Sequence, residues 1–266
     1  MKRLLPLLAV AALVAVPVAS AMHQSSVPVK KPGKLIVAFG DPTPGFAVGK
    51  VRGTKISNPK GYEVDLAKKI AALWHLTPVW VYTPWTSLFA PGVKKFDVSF
   101  QEATITPQRK KTVDFTTSYF DANQGVLLSK KATPPKSLAD LKKLQTCAQA
   151  DTTGLDFIKS KLHPDKQPLV YQTTTAAFTA VQIGRCEALI LDTPIVASQK
   201  KAKPSAYGAV GGQIVTHEQY GAVLQKGSKL TTQLNTGIKK LWANGTIARL
   251  QKKWFNLDFS KLPDLK

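Results

Sequence analysis

The stretch Lys34-Leu-Ile-Val-Ala-Phe39 is a short apolar run between two glycines, and this pattern predicts a buried β-strand. A loop rich in Gly and Pro is expected over residues 40–61. The following segment, Tyr62–Trp74, has helical spacing with its apolar residues on one face. Val79–Tyr82 is β-branched and aromatic, which predicts another strand. The folded part of the chain therefore begins as a strand, a helix and a strand.

The same alternation continues along the chain. Further extended segments are predicted at Phe96–Phe100, Val113–Tyr119, Gly125–Ser129, Leu144–Ala148 and Ala188–Leu191. Helices are predicted at Gly154–Leu162 and Thr174–Ile183 and again towards the C-terminus. Alternating strands and helices indicate an α/β fold with mostly parallel sheets covered by helices on both sides. In such folds, ligands bind at the carboxyl ends of the strands.

The N-terminus has the pattern of a secretory signal peptide over residues 1–21. Lys2 and Arg3 precede the apolar run Leu4–Val18, and Ala19-Ser20-Ala21 is a small-x-small cleavage site. The alternative is a membrane anchor, but the run is short for a span and no later segment is long and apolar enough. We therefore expect a soluble, exported protein that begins near Met22 and does not insert into a membrane.

Export changes the interpretation of the two cysteines. Cys147 and Cys186 are the only cysteines in the sequence. In an oxidising compartment they are predicted to form a disulfide, and two buried free thiols are the alternative.

The charge balance is strongly basic, with a formal net charge of +21 from 37 Lys+Arg and 16 Asp+Glu. Such a balance raises the possibility of a nucleic-acid partner. However, the basic residues are nearly all lysines in scattered pairs, whereas base reading favours arginine forks and single-strand binding favours interleaved aromatics. Solvated faces and no nucleic-acid partner are therefore predicted. No histidine has metal-ligand spacing and no catalytic set is evident, so we expect neither a metal nor a cofactor.

One loop, Thr104-Ile-Thr-Pro-Gln-Arg109, has the features of a carboxylate receptor. Thr106 is a good N-cap and Pro107 a good first helical residue, so free backbone N–H groups are expected there. An arginine fork beside such amides binds carboxylates well. The alternative is a capped surface helix in which Arg109 pairs with a neighbour such as Asp114.

Two further loops follow predicted strands. In Asp151-Thr-Thr-Gly-Leu-Asp156, Thr153 has capping-box-like spacing, and Thr152 and Thr153 could bond either an anion or only the backbone. The other loop ends a strand on Asp192, directly before a Thr-Pro turn. Asp192 could hold an ammonium group, or it could cap the following helix.

Several ordered motifs together resemble a known family. They are Gly61-Tyr-Glu-Val-Asp-Leu-Ala, Phe96-Asp-Val with Thr104-Ile-Thr-x-x-Arg109, Val113-Asp-Phe-Thr-x-x-Tyr119, Gly184-Arg-Cys-Glu-Ala with Asp192, Tyr220-Gly-Ala-Val-Leu-Gln-Lys-Gly, and Gly245 with Lys253-Trp-Phe255. Over roughly residues 33 to 257 the chain resembles the polar amino-acid-binding proteins of ABC importers, family 3 of the bacterial solute-binding proteins.

The resemblance implies a two-lobed α/β fold of the periplasmic-binding-protein type II, with two hinge strands. Lobe one would comprise residues 32–124 plus 220–258, and lobe two residues 125–219. The hinges would lie near Asn123–Leu127 and Ile214–Gly221. The resemblance also implies a cofactor-free, monomeric periplasmic receptor that closes on an amino acid and delivers it to an ABC transporter permease.

The resemblance also implies roles for individual residues. Arg109, assisted by Thr104, would pair with the α-carboxylate of the ligand, and Thr152 or Thr153 would close on it from the other lobe. Asp192 would accept the α-ammonium group. The contacts to the ligand side chain would come from Asp41, Phe46 and Trp85.

Some residues depart from the family pattern. Gln101 and Glu102 stand where the family has small residues, and Asp151 puts a negative charge beside the expected ligand carboxylate. Glu102 could contact an amine or reject acidic ligands, and with Asp41 it favours a neutral polar or cationic amino acid. The alternative function is an exported dehydratase of the same fold acting on a prephenate-like acid, with Glu102 as the cleft acid. Such a substrate should require more than one cleft cation, and Arg109 is the only strong candidate.

Overall fold

The computed structural model describes residues 27–256 and 259–266. The predicted signal peptide lies outside the described residues. The described part is one mixed sheet flanked by helices, with the strand order β2-β3-β4-β1-β5-β10-β6-β9-β7-β8. The strands are β1 Lys34–Phe39, β2 Val48–Arg52, β3 Lys55–Lys60, β4 Thr77–Tyr82, β5 Val98–Ser99, β6 Val113–Leu128, β7 Thr146–Gln149, β8 Leu169–Tyr171, β9 Ala188–Asp192 and β10 Val210–Gln225.

The α-helices of the described residues are α1 Tyr62–Ala72, α2 Trp85–Leu88, α3 Leu138–Lys143, α4 Thr153–Phe157, α5 Thr174–Gln182, α6 Thr193–Ala202, α7 Leu230–Ala243 and α8 Thr246–Trp254. Short 3₁₀ turns lie at Arg109–Lys111 and Phe259–Lys261, and a π-helical turn, Ile158–Leu162, continues α4. The helix predicted over Gly154–Leu162 is therefore α4 followed by this wider turn.

Two long strands join the two halves of the sheet. β6 and β10 each have 16 residues and pair antiparallel along most of their length. On one side of this pair lie β2, β3, β4, β1 and β5, which form lobe one, and on the other lie β9, β7 and β8, which form lobe two. This arrangement confirms the two-lobed fold.

The β6–β10 pairing is irregular where the strands pass between the lobes. Ile214 pairs with Gln124, but the next pair is Glu218 with Ala122, so β10 has extra residues at this point. The side-chain oxygen Asn123 Oδ1 accepts hydrogen bonds from the backbone N–H groups of Thr216 and His217, each at 3.0 Å. A bulge of this kind bends a strand locally, and it lies at the crossing between the lobes.

The disulfide prediction is confirmed. Cys147 in β7 is bonded to Cys186, just before β9, with a Cα–Cα distance of 5.9 Å, and both residues are fully buried. The bridge lies wholly within lobe two.

The segments at the two ends of the described chain lie on different lobes. The backbone N–H of Lys30 donates to Asp97 Oδ1 in lobe one at 2.7 Å. After α8 the chain returns to lobe two, where Leu265 N–H donates to Gln213 O at 2.8 Å and Leu265 is buried. The carbonyl oxygen of Lys266 accepts from the N–H of Leu138 in α3 at 3.0 Å.

The structure differs from the sequence-based prediction in several elements. The predicted loop 40–61 contains the hairpin β2–β3, whose residues are mostly exposed and polar and therefore show no apolar alternation. Val113–Tyr119 and Gly125–Ser129 belong to the single strand β6 rather than to two strands, apart from Ser129. The sheet is mixed rather than mostly parallel, because β10 runs antiparallel to both β5 and β6.

Candidate functional site

A cleft of about 520 Å³, including the space at its open mouth, lies between the lobes. The cleft is lined by Gly40, Asp41, Thr43, Trp85, Gln101, Glu102, Thr104, Arg109, Gln149, Thr152, Thr153, Thr174, Leu191, Asp192 and Ile195. The structure thus brings together all of the residues singled out from the sequence as ligand contacts except Phe46.

Phe46 does not lie where the sequence-based prediction placed it, which was in contact with the ligand side chain. It is fully buried in an aromatic cluster, with its ring 4.6 Å from that of Phe255 and 5.4 Å from that of Phe120, centroid to centroid. The backbone carbonyl of Phe46 also accepts a hydrogen bond from the N–H of Glu63 in α1 at 3.0 Å. Phe46 therefore stabilises the core of lobe one and does not line the cleft.

Arg109 reaches from lobe one to lobe two. Its Nη1 donates to Thr104 O at 2.8 Å, and its Nη2 donates to the carbonyl of Asp151, in lobe two, at 2.9 Å. The guanidinium carbon lies 4.3 Å from the ring centroid of Phe89 and 5.1 Å from that of Trp85. Burial lowers the pKa of Arg109, but an arginine remains charged. Arg109 is thus a fixed cation in the cleft.

The alternative role for Arg109, pairing with Asp114, is not what the structure has. Asp114 instead lies 3.3 Å from Lys226 Nζ. The capped turn before Arg109 is present, since Thr106 Oγ1 accepts the N–H of Arg109 at 3.1 Å, but only a 3₁₀ turn follows it. The ring face of Trp85, which was expected to contact a ligand, is next to the guanidinium of Arg109.

Asp192 ends β9 on the lobe-two wall. It occupies the N-cap position of α6 but makes no side-chain capping bond, so the capping alternative is not observed. Its carboxylate accepts instead from Gln124 Nε2 at 2.8 Å and from the hydroxyl of Tyr220. Burial, reinforced by the negative charge of Glu218, raises the pKa of Asp192 to about 7.

The two neighbouring threonines have different partners. Thr152, not Thr153, caps α4, because its Oγ1 accepts the N–H of Leu155 at 3.2 Å and donates to Gln149 O at 2.7 Å. This corrects the capping role suggested for Thr153 by its spacing. The hydroxyl of Thr153 donates instead to Glu218 Oε2 at 2.7 Å.

Two polar residues on the long strands complete the site, and neither was singled out from the sequence as a site residue. Gln124, in β6, is fully buried, and Glu218, in β10, accepts from Gln124 Nε2 at 2.9 Å. Both positions lie within the hinge ranges expected from the family resemblance, which was the one available signal. Their side-chain contacts depend on how β6 and β10 pair.

Glu102 is in contact with a buried carboxyl group, that of Glu63 in α1. Its backbone N–H donates to Glu63 Oε1 at 2.9 Å, and the same oxygen accepts from the hydroxyl of Tyr119. Glu63 is fully buried, and burial raises its pKa to about 7. Burial and the carboxyls of Glu63 and Asp192 raise the pKa of Glu102 well above its usual range, which favours the protonated form.

Residues 27–256 and 259–266 contain no cluster of three or more His, Cys, Asp or Glu residues arranged to hold a metal ion. This part of the chain also has no helix with the length and hydrophobicity needed to cross a bilayer.

The chain has two α/β lobes joined by two long strands, which is the fold of small-molecule receptors of the periplasmic-binding type II class. A fixed cation and a carboxylate face the cleft between the lobes. The model of the bacterial extracellular solute-binding proteins, family 3, matches residues 35–257. The chain therefore belongs to this family.

Individual relatives agree with this assignment. The chain is 30% identical over 203 residues to the ABC transporter arginine-binding protein 1 of Escherichia coli (strain K12), covering 73% of this chain and 81% of the relative. It is 31% identical over 205 residues to the ABC transporter glutamine-binding protein GlnH of Bacillus subtilis (strain 168), covering 75% and 74%. Among solved structures, an ancestral arginine-binding protein bound to glutamine matches with a TM-score of 0.75 and 28% identity, covering 85% of this chain and all of that one.

Proposed function

We propose that the protein is an exported, periplasmic receptor that captures an amino acid in the interlobe cleft and delivers it to the permease of an ABC importer. The observation that carries this proposal is the placement of Arg109 and Asp192 at one cleft, the first from lobe one and the second from lobe two. An amino acid carries a carboxylate and an ammonium group, and each of these residues matches one of them.

The opposite charges also explain why binding should favour closure. The α-carboxylate would pair with Arg109 and the α-ammonium group with Asp192. Since the two residues lie on different lobes, both pairs form together only when the lobes are close. A ligand that binds one conformation more tightly shifts the population towards it. The permease would then recognise the closed receptor.

The charges of the cleft favour a cationic or neutral polar ligand. Its lining includes the carboxyl groups of Asp41 and Asp192, whereas Arg109 is the one lysine or arginine among the described residues that line it. The raised pKa of Glu102 favours its protonated form, so this residue adds a polar group rather than a negative charge. Asp41 Oδ1 accepts from the hydroxyl of Tyr82 at 3.0 Å, which fixes a carboxylate near the cleft mouth. After the α-groups are paired, Asp41 is available to a positive ligand side chain.

The named relatives are binding proteins, which favours the receptor over the prephenate-type dehydratase. A dicarboxylic substrate would place a second carboxylate among acidic residues without a second cation to hold it. An assay of prephenate turnover separates the two functions, and measurable turnover would replace the receptor proposal.

We further propose that the lobes comprise residues 32–124 plus 220–258 and residues 125–219, with hinges near Asn123–Leu127 and Ile214–Gly221. The passage of β6 and β10 between the lobes, and the irregular pairing near Glu218, support these boundaries.

A thermal-shift screen of refolded, ligand-stripped protein against the common amino acids tests the proposed function. A ligand at about 100 times its dissociation constant stabilises the folded state by about 2.7 kcal/mol. For a chain of this size we expect a rise in melting temperature of about 5–10 °C with one or a few amino acids. A flat response to every amino acid would contradict the proposal.

The raised pKa of Asp192 predicts that binding weakens in acid. An ammonium group binds the ionised carboxylate. The pKa of Asp192 is raised to about 7, so below that pH the ionised form is the minority in the free protein. The apparent affinity falls with the fraction of the protein in which Asp192 is ionised, so Kd should increase by roughly 20-fold between pH 7.5 and 5.5. Calorimetric titrations across this range measure the slope.

Asp192→Asn provides the control for the pH prediction. The amide cannot titrate, so the variant should bind more weakly at pH 7.5 but with a flatter pH profile. A wild-type Kd that is constant from pH 7.5 to 5.5 would show that Asp192 is not the group that receives the ammonium.

A further inference from the structure

Glu218 lies where β10 crosses between the lobes, and its carboxylate contacts side chains from both of them. Its Oε2 accepts the hydroxyl of Thr104, from lobe one, at 2.8 Å and the hydroxyl of Thr153, from lobe two, at 2.7 Å. Its Oε1 accepts from Gln124 Nε2 at 2.9 Å. All three partners are able to donate, so both carboxyl oxygens of Glu218 act as hydrogen-bond acceptors.

These contacts determine where the hydroxyl protons point. A threonine hydroxyl has one proton to donate and two lone pairs that accept. The protons of Thr104 and Thr153 are both directed at Glu218, so only lone pairs remain for a ligand. Gln124 Nε2 also lies 3.1 Å from the Thr153 hydroxyl, but its two protons are matched by the closer carboxylate oxygens of Asp192 and Glu218.

We propose that Glu218 is a specificity-determining positioning residue, which makes the hydroxyls of Thr104 and Thr153 hydrogen-bond acceptors towards the ligand. Both threonines line the cleft. They would therefore receive N–H groups of the ligand, whereas the sequence-based prediction had them assisting its carboxylate. This inference rests on the proposed function and deepens it.

The α-carboxylate and the ammonium group of the ligand would therefore bind to separate sets of residues in the cleft. The α-carboxylate depends on Arg109, because the hydroxyl of Thr152 is also occupied as the donor to Gln149 O and as the cap of α4. The ammonium group is received by Asp192 together with the two acceptor hydroxyls. Ligands rich in N–H groups are thereby favoured, and the negative charge of Glu218 disfavours additional carboxylates.

Glu218→Leu tests the proposal, because it keeps most of the size of the side chain and removes both acceptor oxygens. The two threonine hydroxyls, which both donate to Oε2, then lose their acceptor, and their protons are free to turn towards the cleft. The probes are L-arginine and its des-amino analogue 5-guanidinopentanoate, titrated by calorimetry. We expect the wild-type protein to prefer L-arginine by at least 100-fold, and the variant to reduce this preference about tenfold.

Asp121→Asn is the matched control. Asp121 is also on the crossing strands, where its Oδ1 accepts from Gln219 Nε2 at 3.0 Å, and it does not line the cleft. Its replacement removes one negative charge and should leave the preference unchanged. An unchanged preference in Glu218→Leu, in a protein that binds L-arginine, would overturn the role of Glu218 but not the proposed function. Failure of the wild-type protein to bind any amino acid would overturn both.

Thr153→Val provides a second readout that does not depend on the folding of the Glu218 variant. Valine matches the shape of threonine without the hydroxyl. If the hydroxyl accepts from the ammonium, L-arginine should bind about tenfold more weakly and the des-amino analogue equally well. If both probes lose affinity equally, the hydroxyl serves the carboxylate and the proposal is wrong.

Discussion

Arg109→Ala is expected to remove most of the affinity for an amino acid while the protein stays folded. In our proposal Arg109 is the partner of the α-carboxylate, and no other lysine or arginine among the described residues lines the cleft. Truncating one member of a buried charge pair costs about 2–5 kcal/mol, largely because the other charge is left unpaired. This corresponds to a Kd increase of about 30- to 4000-fold, which calorimetry with the ligand found in the thermal-shift screen would measure.

The fold should tolerate this change because the guanidinium contacts cleft groups and not the core. It bonds the carbonyls of Thr104 and Asp151 and lies beside two aromatic rings. Arg109→Lys keeps the charge without the planar fork, so its Kd should lie between those of the wild-type protein and Arg109→Ala. Arg249→Ala is a suitable control, since that arginine bonds Asn244 O and Thr246 Oγ1 on the surface of α8. Normal binding by Arg109→Ala would refute the site assignment.

Removal of the disulfide is expected to destabilise the protein without a comparable loss of binding. Cys147 and Cys186 are 39 positions apart, and closing a loop of that length stabilises a protein by roughly 3–4 kcal/mol in the chain-entropy model. For this chain length, Cys147→Ala with Cys186→Ala should lower the melting temperature by about 10 °C. Thermal unfolding monitored by circular dichroism measures the change.

Ligand affinity is the contrasting readout for the disulfide variant. The bridge joins two buried positions within lobe two, and neither cysteine lines the cleft. The folded double variant should therefore bind its ligand with nearly wild-type affinity at 25 °C. Treatment of the wild-type protein with a reducing agent should reproduce the loss of stability. An unchanged melting temperature in both experiments would contradict the stabilising role of the bridge.

The elements that could be predicted from the sequence are those with a strong local pattern. β1 is an apolar run between glycines, and α1 has one apolar face, so their positions follow from burial. Arg109 and Asp192 both line the cleft, as the family resemblance implied, whereas their spacing alone had left the alternatives of an ion pair and a helix cap open. The hairpin β2–β3 was missed, since its exposed polar residues have no periodicity that distinguishes a strand from a loop.

The misassigned and missed site residues depend on contacts that are distant in the sequence. Phe46 is in a Gly/Pro-rich segment, and only the packing of Phe120 and Phe255 around it shows that it points into the core. Glu218 is separated from Thr104 by 114 positions and from Thr153 by 65. Its contacts arise from the register of two long strands, and a single sequence contains no local signal for this register.

Because the segment after α8 is attached to lobe two, the two ends of the described chain are suitable labelling positions for measuring closure of the lobes. Lys30 is held on lobe one through Asp97, and Lys266 is held on lobe two through Leu138. Because the two points are bonded to different lobes, we expect closure of the cleft to change their separation. A donor and an acceptor fluorophore placed there would convert ligand capture into a change in energy-transfer efficiency, and no label would need to enter the cleft or touch the crossing strands.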